Sequence, residues 1–419
     1  MKLFRMYRDL LTKITPNLKR YFSGMLFSIF ASASFSVLFG IYLKNMGYQE
    51  AVVGTVIALQ TFGMAIGSLV GAVLSIRIGK KRSMIAGQFT MIVCGLLMVD
   101  VPILAVTYVA SFFFGMGNSV VNVMGSPILY ENLGDQDRVT GFSFNFVLFN
   151  LAFTLSSLVF GYTSQFVAGY LGDIGGNRVV LNLGLCSFLI SSFMLSRLDE
   201  KPIERKEGRM ELLSRTFANY ATLLKGRLLV YTMQTSLTGF GAGLIIPFFP
   251  VYIKHVLQVP DGTVGSIMAF AQVGMIVGGL IVPVLAQRYG RVQTVVGCQL
   301  MSIPFLISIT FPQSFWLIVF SLFFRSMLMN MAGPVINNLA MELVDDELRT
   351  FMSSMVSLMN SAFRALGIFV GGILMQHYSY NTPYFFTITA YLLGTSLLYL
   401  AFSDRGKEYL ARISPRFRG

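Results

Sequence analysis

Twelve apolar stretches, each long enough to cross a lipid bilayer, make up most of this 419-residue chain. A transmembrane helix needs about 20 mostly apolar residues. Here 54% of the residues are apolar and only 12% are charged, far below the roughly 25% charged residues of a soluble domain. An all-α membrane protein is therefore predicted. Its spans, numbered in chain order, are residues 21–43, 51–75, 83–99, 102–130, 139–166, 179–196, 228–253, 263–286, 292–310, 314–340, 351–376 and 382–403.

The second half of the chain repeats the first. Residues 53–79 recur as residues 264–290, at an offset of 211 residues, and 11 of the 27 aligned residues are identical. Each half contains six of the predicted spans, so two pseudo-symmetric six-helix bundles are predicted. A duplicated membrane-spanning chain is the usual plan of a secondary transporter, with its substrate site between the two repeats.

Five segments follow from this repeat and from the distribution of charge. We predict a cytoplasmic amphipathic N terminus at 1–20, a six-helix bundle at 21–196 and a cytoplasmic central loop at 197–227. The second six-helix bundle is predicted at 228–403, and a basic cytoplasmic tail at 404–419.

The positive charges predict the orientation. Of the 32 Lys and Arg residues, 27 lie in the N terminus, in the loops that follow even-numbered spans or in the tail, whereas the opposite loops contain only Lys44, Arg178 and Lys254. By the positive-inside rule both termini are cytoplasmic, and the chain is expected to be a multi-pass protein of the cell membrane. The net charge of +13 then reflects orientation, and no nucleic-acid partner is expected.

The cysteines predict neither a disulfide framework nor a metal site. Cys94, Cys186 and Cys298 are odd in number and all lie inside predicted spans. We expect no metal and no cofactor.

The loop after span 2 resembles a known family signature. Residues 74–82 and their second copy, residues 285–291, are similar to the loop motif G-x-L-a-D-r-x-G-r-r of the Major Facilitator Superfamily, and the resemblance extends over essentially the whole chain. It implies twelve transmembrane helices and transport by alternating access. The acidic residue of the motif is Ile76 in one copy and Gln287 in the other, so the charge network of the family's gate must be built differently here.

Six charged residues at the cytoplasmic ends of predicted spans are candidates for that network. Opposite charges at one depth are expected to pair when the inner gate is closed and to separate when it opens. The alternative is that they are solvated loop charges that serve topology only, since exposed pairs contribute about 0–1 kcal/mol. The candidates are Arg77, Glu131, Arg138, Arg288, Glu342 and Arg349.

Two arginines are the only charges left inside the predicted spans. Arg325 lies about ten residues into span 10, and Arg364 lies near the middle of span 11. A charge inside the membrane is costly and marks a functional site by default. All 19 Asp and Glu residues fall in loops, termini or helix ends, so an anionic group on the substrate is expected to neutralise these guanidinium groups. The alternative is that the arginines are satisfied by helix carbonyls or reach the membrane surface.

Polar side chains inside the spans complete the predicted substrate site. Because lipid does not hydrate polar faces, they should point at a central cavity. The alternative for single Asn and Ser residues is hydrogen bonding between helices. The candidates beside the arginines are Asn360, Ser357, Asn118, Asn122, Asn150, Gln234 and Gln272.

These residues predict a transporter and not an enzyme. We expect a secondary active or facilitative transporter that moves a small organic anion by alternating access, as a monomer in the lipid bilayer. An exporter of amphipathic drugs or lipids is the alternative, since 38 Phe and 24 Met can line an adaptable cavity. A polytopic membrane enzyme is the remote alternative, because no catalytic constellation is recognisable in the sequence.

Overall fold

The structure is a computed structural model that describes residues 15–133, 138–200, 226–310, 314–333, 335–336 and 346–403. All regular secondary structure in these residues is helical. A helix satisfies its backbone hydrogen bonds within its own segment, as a chain surrounded by lipid requires.

Twelve helices lie in the described residues, as predicted. Ten apolar runs are long enough to cross a membrane if α5 and α6 are taken as one run, and α10 is a shorter apolar helix. The chain is thus an integral multi-pass membrane protein. The helices are α1 (Pro16–Asn45), α2 (Glu50–Arg77), α3 (Lys80–Asp100), α4 (Leu104–Asn132), α5 (138–171), α6 (173–196), α7 (226–256), α8 (Asp261–Tyr289), α9 (Arg291–Thr310), α10 (Phe315–Met331), α11 (Asp346–His377) and α12 (Thr382–Phe402).

Several boundaries differ from the predicted spans, and two of these differences have a local reason. Helix α1 begins at Pro16 and not near residue 21, because proline suits the first turn of a helix and the Thr15 hydroxyl accepts a hydrogen bond from the Leu18 amide at 3.2 Å. Helices α5 and α6 are continuous except at Gly172, whose φ of 73° makes the turn between them. The predicted surface helix before Pro16, most of the central loop and the tail lie outside the described residues.

The repeat is visible in the turns after α2 and α8. Gly79 and Gly290 are related by the offset of 211 residues, and both have a φ of 89°. This left-handed conformation is open to glycine and strained for residues with a Cβ atom. Each glycine lets the next helix begin at once, so the motif that resembles the family signature forms a sharp turn in both halves.

Helix ends form two sets. Terminal ends are the first residues of odd-numbered helices and the last residues of even-numbered helices. Distal ends are the opposite ends of the same helices.

Contacts divide the chain into two compact units that differ from the predicted bundles. The start of α2 groups with the second unit, whereas the end of α7 and the start of α8 group with the first. The first unit is Met1–Gln49, Leu59–Arg205 and Pro250–Ala269, and the second is Glu50–Ala58, Lys206–Phe249 and Phe270–Gly419.

The first unit is built on α1 packed against α5 and α6, with α3 packed against α4 and α6. Gln88 of α3 is fully buried, donates to the Ser191 hydroxyl and accepts from the Ser192 hydroxyl, both at 2.6 Å. Buried amides are costly unless they are hydrogen-bonded, so these two contacts fix α3 on α6.

The second unit has the same plan. Helix α7 packs against α11 and α12, and α9 packs against α10 and α12. Gln299 of α9 is the counterpart of Gln88 at the offset of 211 residues, and its side-chain oxygen accepts a hydrogen bond from the Thr395 hydroxyl at 2.8 Å. The duplication therefore extends to a buried polar contact.

Candidate functional site

Arg325 is a fully buried cation inside the second unit. Its side chain is 2% exposed and lies in α10. One terminal nitrogen donates a hydrogen bond to the Tyr391 hydroxyl of α12 at 2.9 Å, and the guanidinium carbon lies 5.4 Å from the centre of the Phe249 ring of α7. An aromatic face attracts a guanidinium group, and the phenol accepts one of its five N–H groups.

These contacts leave hydrogen-bonding capacity unused. The Nε atom of Arg325 is buried and has no hydrogen-bond partner in the described part of the chain. The ion pairs formed by described residues also do not include Arg325, so no described carboxylate balances its charge. A buried guanidinium group without an acid is suited to an anion that enters from outside the chain.

Arg364 belongs to the same group of side chains. It lies on α11, is partly exposed, and interacts electrostatically with both Arg325 and Tyr391. Its backbone carbonyl closely approaches Gly243 of α7, which has no side chain to separate the two helices. The two arginines that the sequence singled out are thus close enough to interact electrostatically.

The polar candidates of the second unit lie on α7, α8 and α11. Asn360 donates from its amide to the Thr235 carbonyl of α7 at 3.0 Å, whereas Ser357 is exposed. Gln234 is 1% exposed and donates to the Thr238 hydroxyl of its own helix at 3.1 Å. Gln272 on α8 is partly exposed. Asn360 and Gln234 therefore already have structural partners, whereas Ser357 is accessible.

Two candidates of the first unit, Asn118 and Asn122, form a small polar group on α4 with Ser32 of α1, and the third, Asn150, lies on α5. Asn122 is exposed and donates to the Asn118 side-chain oxygen at 2.5 Å, and the Asn118 amide lies 3.5 Å from the Ser32 hydroxyl of α1. Asn150 is buried and donates to the Phe146 carbonyl of its own helix at 2.7 Å. Asn122 is thus the most accessible amide of the three.

The predicted gating residues that the structure describes lie at terminal ends, where Glu131 forms an ion pair with Lys80. Lys80 had not been singled out. Arg77 is exposed, and Arg288 is exposed with its guanidinium carbon 5.3 Å from the centre of the Tyr289 ring. The side chains of Arg138 and Arg349, and all of Glu342, lie outside what the structure describes. The gating roles stay predictions.

Sequence reasoning also missed an acid at a distal end. Asp261, the first residue of α8, is 1% exposed although it was classed among loop and helix-end charges. The offset of 211 residues was the available signal, because it relates Asp261 to Glu50 at the start of α2.

Comparison with known proteins identifies the family. The model of the Major Facilitator Superfamily matches residues 21–165 and 232–415. The chain is similar in fold to the nucleoside transporter NupG, with a TM-score of 0.76, 14% identity and coverage of 93% of this chain and 100% of that one. No curated protein sequence matches it.

Two further solved structures share the fold. For the xylose transporter XylE from E. coli the TM-score is 0.65 at 14% identity, with 90% of this chain and 94% of that chain covered. For a bacterial metal transporter the TM-score is 0.68 at 12% identity, with 93% of this chain and 100% of that chain covered. These identities show the fold alone, whereas the family match extends over both halves, and the chain belongs to the Major Facilitator Superfamily of transporters.

Proposed function

We propose that this transporter moves a small organic anion by alternating access, acting as a monomer in the lipid bilayer. The observation that supports this proposal is the fully buried Arg325, which has a tyrosine and a phenylalanine as neighbours and no described carboxylate as an ion-pair partner. The proteins of similar fold are a nucleoside transporter, a xylose transporter and a metal transporter, so fold similarity favours no substrate class.

Electrostatics favours an anion over a neutral or cationic solute. The positive charges of Arg364 and Arg325 repel each other, so a bound anion would relieve the repulsion between the two guanidinium groups. A planar guanidinium group donates two parallel hydrogen bonds to a carboxylate or phosphate. A neutral solute offers no such compensation, and a cation would add a third positive charge.

Removing either guanidinium group tests the proposal. Arg325→Ala and Arg364→Ala are each expected to lower anion uptake or exchange in proteoliposomes by about tenfold to a hundredfold, the effect of losing a charge-assisted hydrogen bond. Lysine at either position should restore transport only in part, because an ammonium group cannot donate in the same planar arrangement. Arg197→Ala, at an exposed arginine of a terminal end, is the matched control and should transport at the parent rate.

Parent-rate anion transport by both alanine variants would reject the proposal. Transport of an amphipathic cation by the parent protein, with unchanged binding in the alanine variants, would favour the alternative of an exporter of amphipathic compounds.

We also propose that the terminal ends face the cytoplasm and the distal ends face outward in the cell membrane. The positive-inside rule supports this orientation, because 27 of the 32 Lys and Arg residues belong to the terminal side. In intact cells, an impermeant thiol reagent should fail to label cysteines placed at residues 2 and 419 when exposed Cys186 has been replaced by serine. Tyr170→Cys, at a side chain that is 77% exposed near the distal end of α5, should be labelled. Labelling at residue 2 or 419 would contradict this orientation.

The charged residues of the terminal ends are proposed to form the inner gate. Arg77 and Arg288 are exposed at the ends of α2 and α8, where they are free to pair with Glu131 and Glu342 in the outward-facing state. Arg77→Ala and Arg288→Ala should change the transport rate while leaving the melting temperature close to that of the parent. A structure of the inward-closed state in which these side chains are apart and solvated would refute the pairing.

A further inference from the structure

The distal end of α8 is held on α5 and α6 by a buried carboxylate. Asp261 accepts hydrogen bonds from the Ser164 hydroxyl at 2.8 Å and from the Asn177 amide at 2.7 Å, and both of these partners are fully buried. The Lys254 ammonium group of α7 lies 2.9 Å from the other carboxylate oxygen. Buried charges are stable only when paired and hydrogen-bonded, and Asp261 has both kinds of partner.

The partners of Asp261 also contact residues at the distal ends of α6 and α1. Lys254 lies 3.3 Å from a carboxylate oxygen of Asp173, which is half exposed at the start of α6. Asn177 also accepts a hydrogen bond from the Asn45 amide at the end of α1, at 2.8 Å. We name Asp261, Ser164, Asn177 and Lys254 the Asp261 latch, and all four lie in the first unit.

Glu50, the first residue of α2, provides a second carboxylate, and it lies in the second unit. The Tyr380 hydroxyl donates to Glu50 at 2.6 Å, and the Ala51 amide donates to the Gln376 side-chain oxygen at 3.2 Å. Burial and the hydrogen bond to Glu50 raise the pKa of Tyr380 above its ordinary value, so the phenol stays a donor. We name Glu50, Ala51, Gln376 and Tyr380 the Glu50 latch.

The two latches are copies of one arrangement. The offset of 211 residues relates Glu50 to Asp261, and it also relates the glycines and glutamines beside them. These further pairs are Gly54 with Gly265, Gly161 with Gly372, and Gln165 with Gln376.

The same backbone contacts recur in both copies. A Cβ atom added at Gly161 of α5 would lie 2.8 Å from the Asp261 carbonyl oxygen, and one added at Gly372 of α11 would lie 2.7 Å from the Glu50 carbonyl oxygen. Close approach of this kind is open only to glycine. Helix α8 thus meets α5 in the first unit as α2 meets α11 in the second.

We infer that Asp261 and Glu50 are gating residues that keep the distal side closed by holding the first turns of α8 and α2 on α5 and α11. For the distal side to open, each first turn must leave its partner helix, and its acid must exchange these hydrogen bonds for water. The inference concerns access to the central site and holds for any substrate.

Both latches depend on the charge of their acid. The Asp261 carboxylate is paired with the ammonium group of Lys254, and the Glu50 carboxylate accepts a hydrogen bond from the Tyr380 hydroxyl. Hydrogen bonds to an ionised group are roughly twice as strong as those between neutral groups. An Asp261→Asn variant loses the ion pair with Lys254 and therefore measures how much the charge contributes.

The labelling rate of a cysteine at residue 122, in the polar group on α4 and α1, measures opening of the distal side. The reporter is Asn122→Cys in a background with serine at residue 186, labelled from the distal side of sealed proteoliposomes. Asp261→Asn should raise the labelling rate by about tenfold or more, the effect of losing a charge-assisted contact. Glu50→Gln should raise the rate as well, because it removes the negative charge to which the Tyr380 hydroxyl donates. Asp173→Asn is the matched control, because loss of its more exposed ion pair is worth at most about fivefold.

A bulky substitution in α5 tests the same inference if Asp261→Asn folds poorly. Gly161→Trp should prevent the first turn of α8 from docking and should raise labelling as well. Gly169→Trp, on the same helix, should not, because a Cβ atom at Gly169 meets no atom within 4 Å. A parent labelling rate in both Asp261→Asn and Gly161→Trp would overturn the inference. Faster labelling in Gly161→Trp alone would overturn the role of the carboxylate.

Discussion

The cost of holding a positive charge away from water is the constraint on which the candidate substrate site depends. Moving a guanidinium group out of water costs several kcal/mol even after relaxation, and a site retains it only where other groups compensate. The protein supplies a phenol and an aromatic ring to Arg325 and leaves its Nε atom without a described partner. These neighbours stabilise the charge of Arg325 less than a carboxylate in an ion pair would. An anionic substrate would supply the missing negative charge.

Comparison of the two halves distinguishes residues that build the helical framework from residues proposed to bind substrate. Framework positions recur in both halves, among them the buried Gln88 and Gln299. The two arginines do not recur, because the residues at the corresponding positions of the first half are Phe114 and Phe153. The two halves therefore share the same helical framework, but only the second half has charged side chains inside its spans. The proposed substrate would therefore be held mainly by the second unit.

The helices could be predicted from the sequence, but the hydrogen-bond and ion-pair partners of the polar side chains could not. Lipid imposes length and apolar composition on every span, so the twelve helices could be predicted to within a few residues at most ends. Tyr391 is one of 18 tyrosines, and only the folded arrangement of the helices brings its hydroxyl within hydrogen-bond distance of Arg325. Lys80 and Arg77 are three residues apart, and the turn at Gly79 brings Lys80 to Glu131. Asp261 resembles an ordinary helix-end charge until α5 and α6 cover it.

Ligand binding to the purified protein tests the central claim most directly. Thermal unfolding should be measured with small organic carboxylates, each paired with its neutral amide of the same shape, because a ligand that binds the folded state raises the melting temperature. At least one carboxylate should stabilise the parent protein while its amide does not, and the stabilisation should disappear in Arg325→Ala. Equal stabilisation by a carboxylate and its amide, or stabilisation by amphipathic cations alone, would contradict an anion site at Arg325.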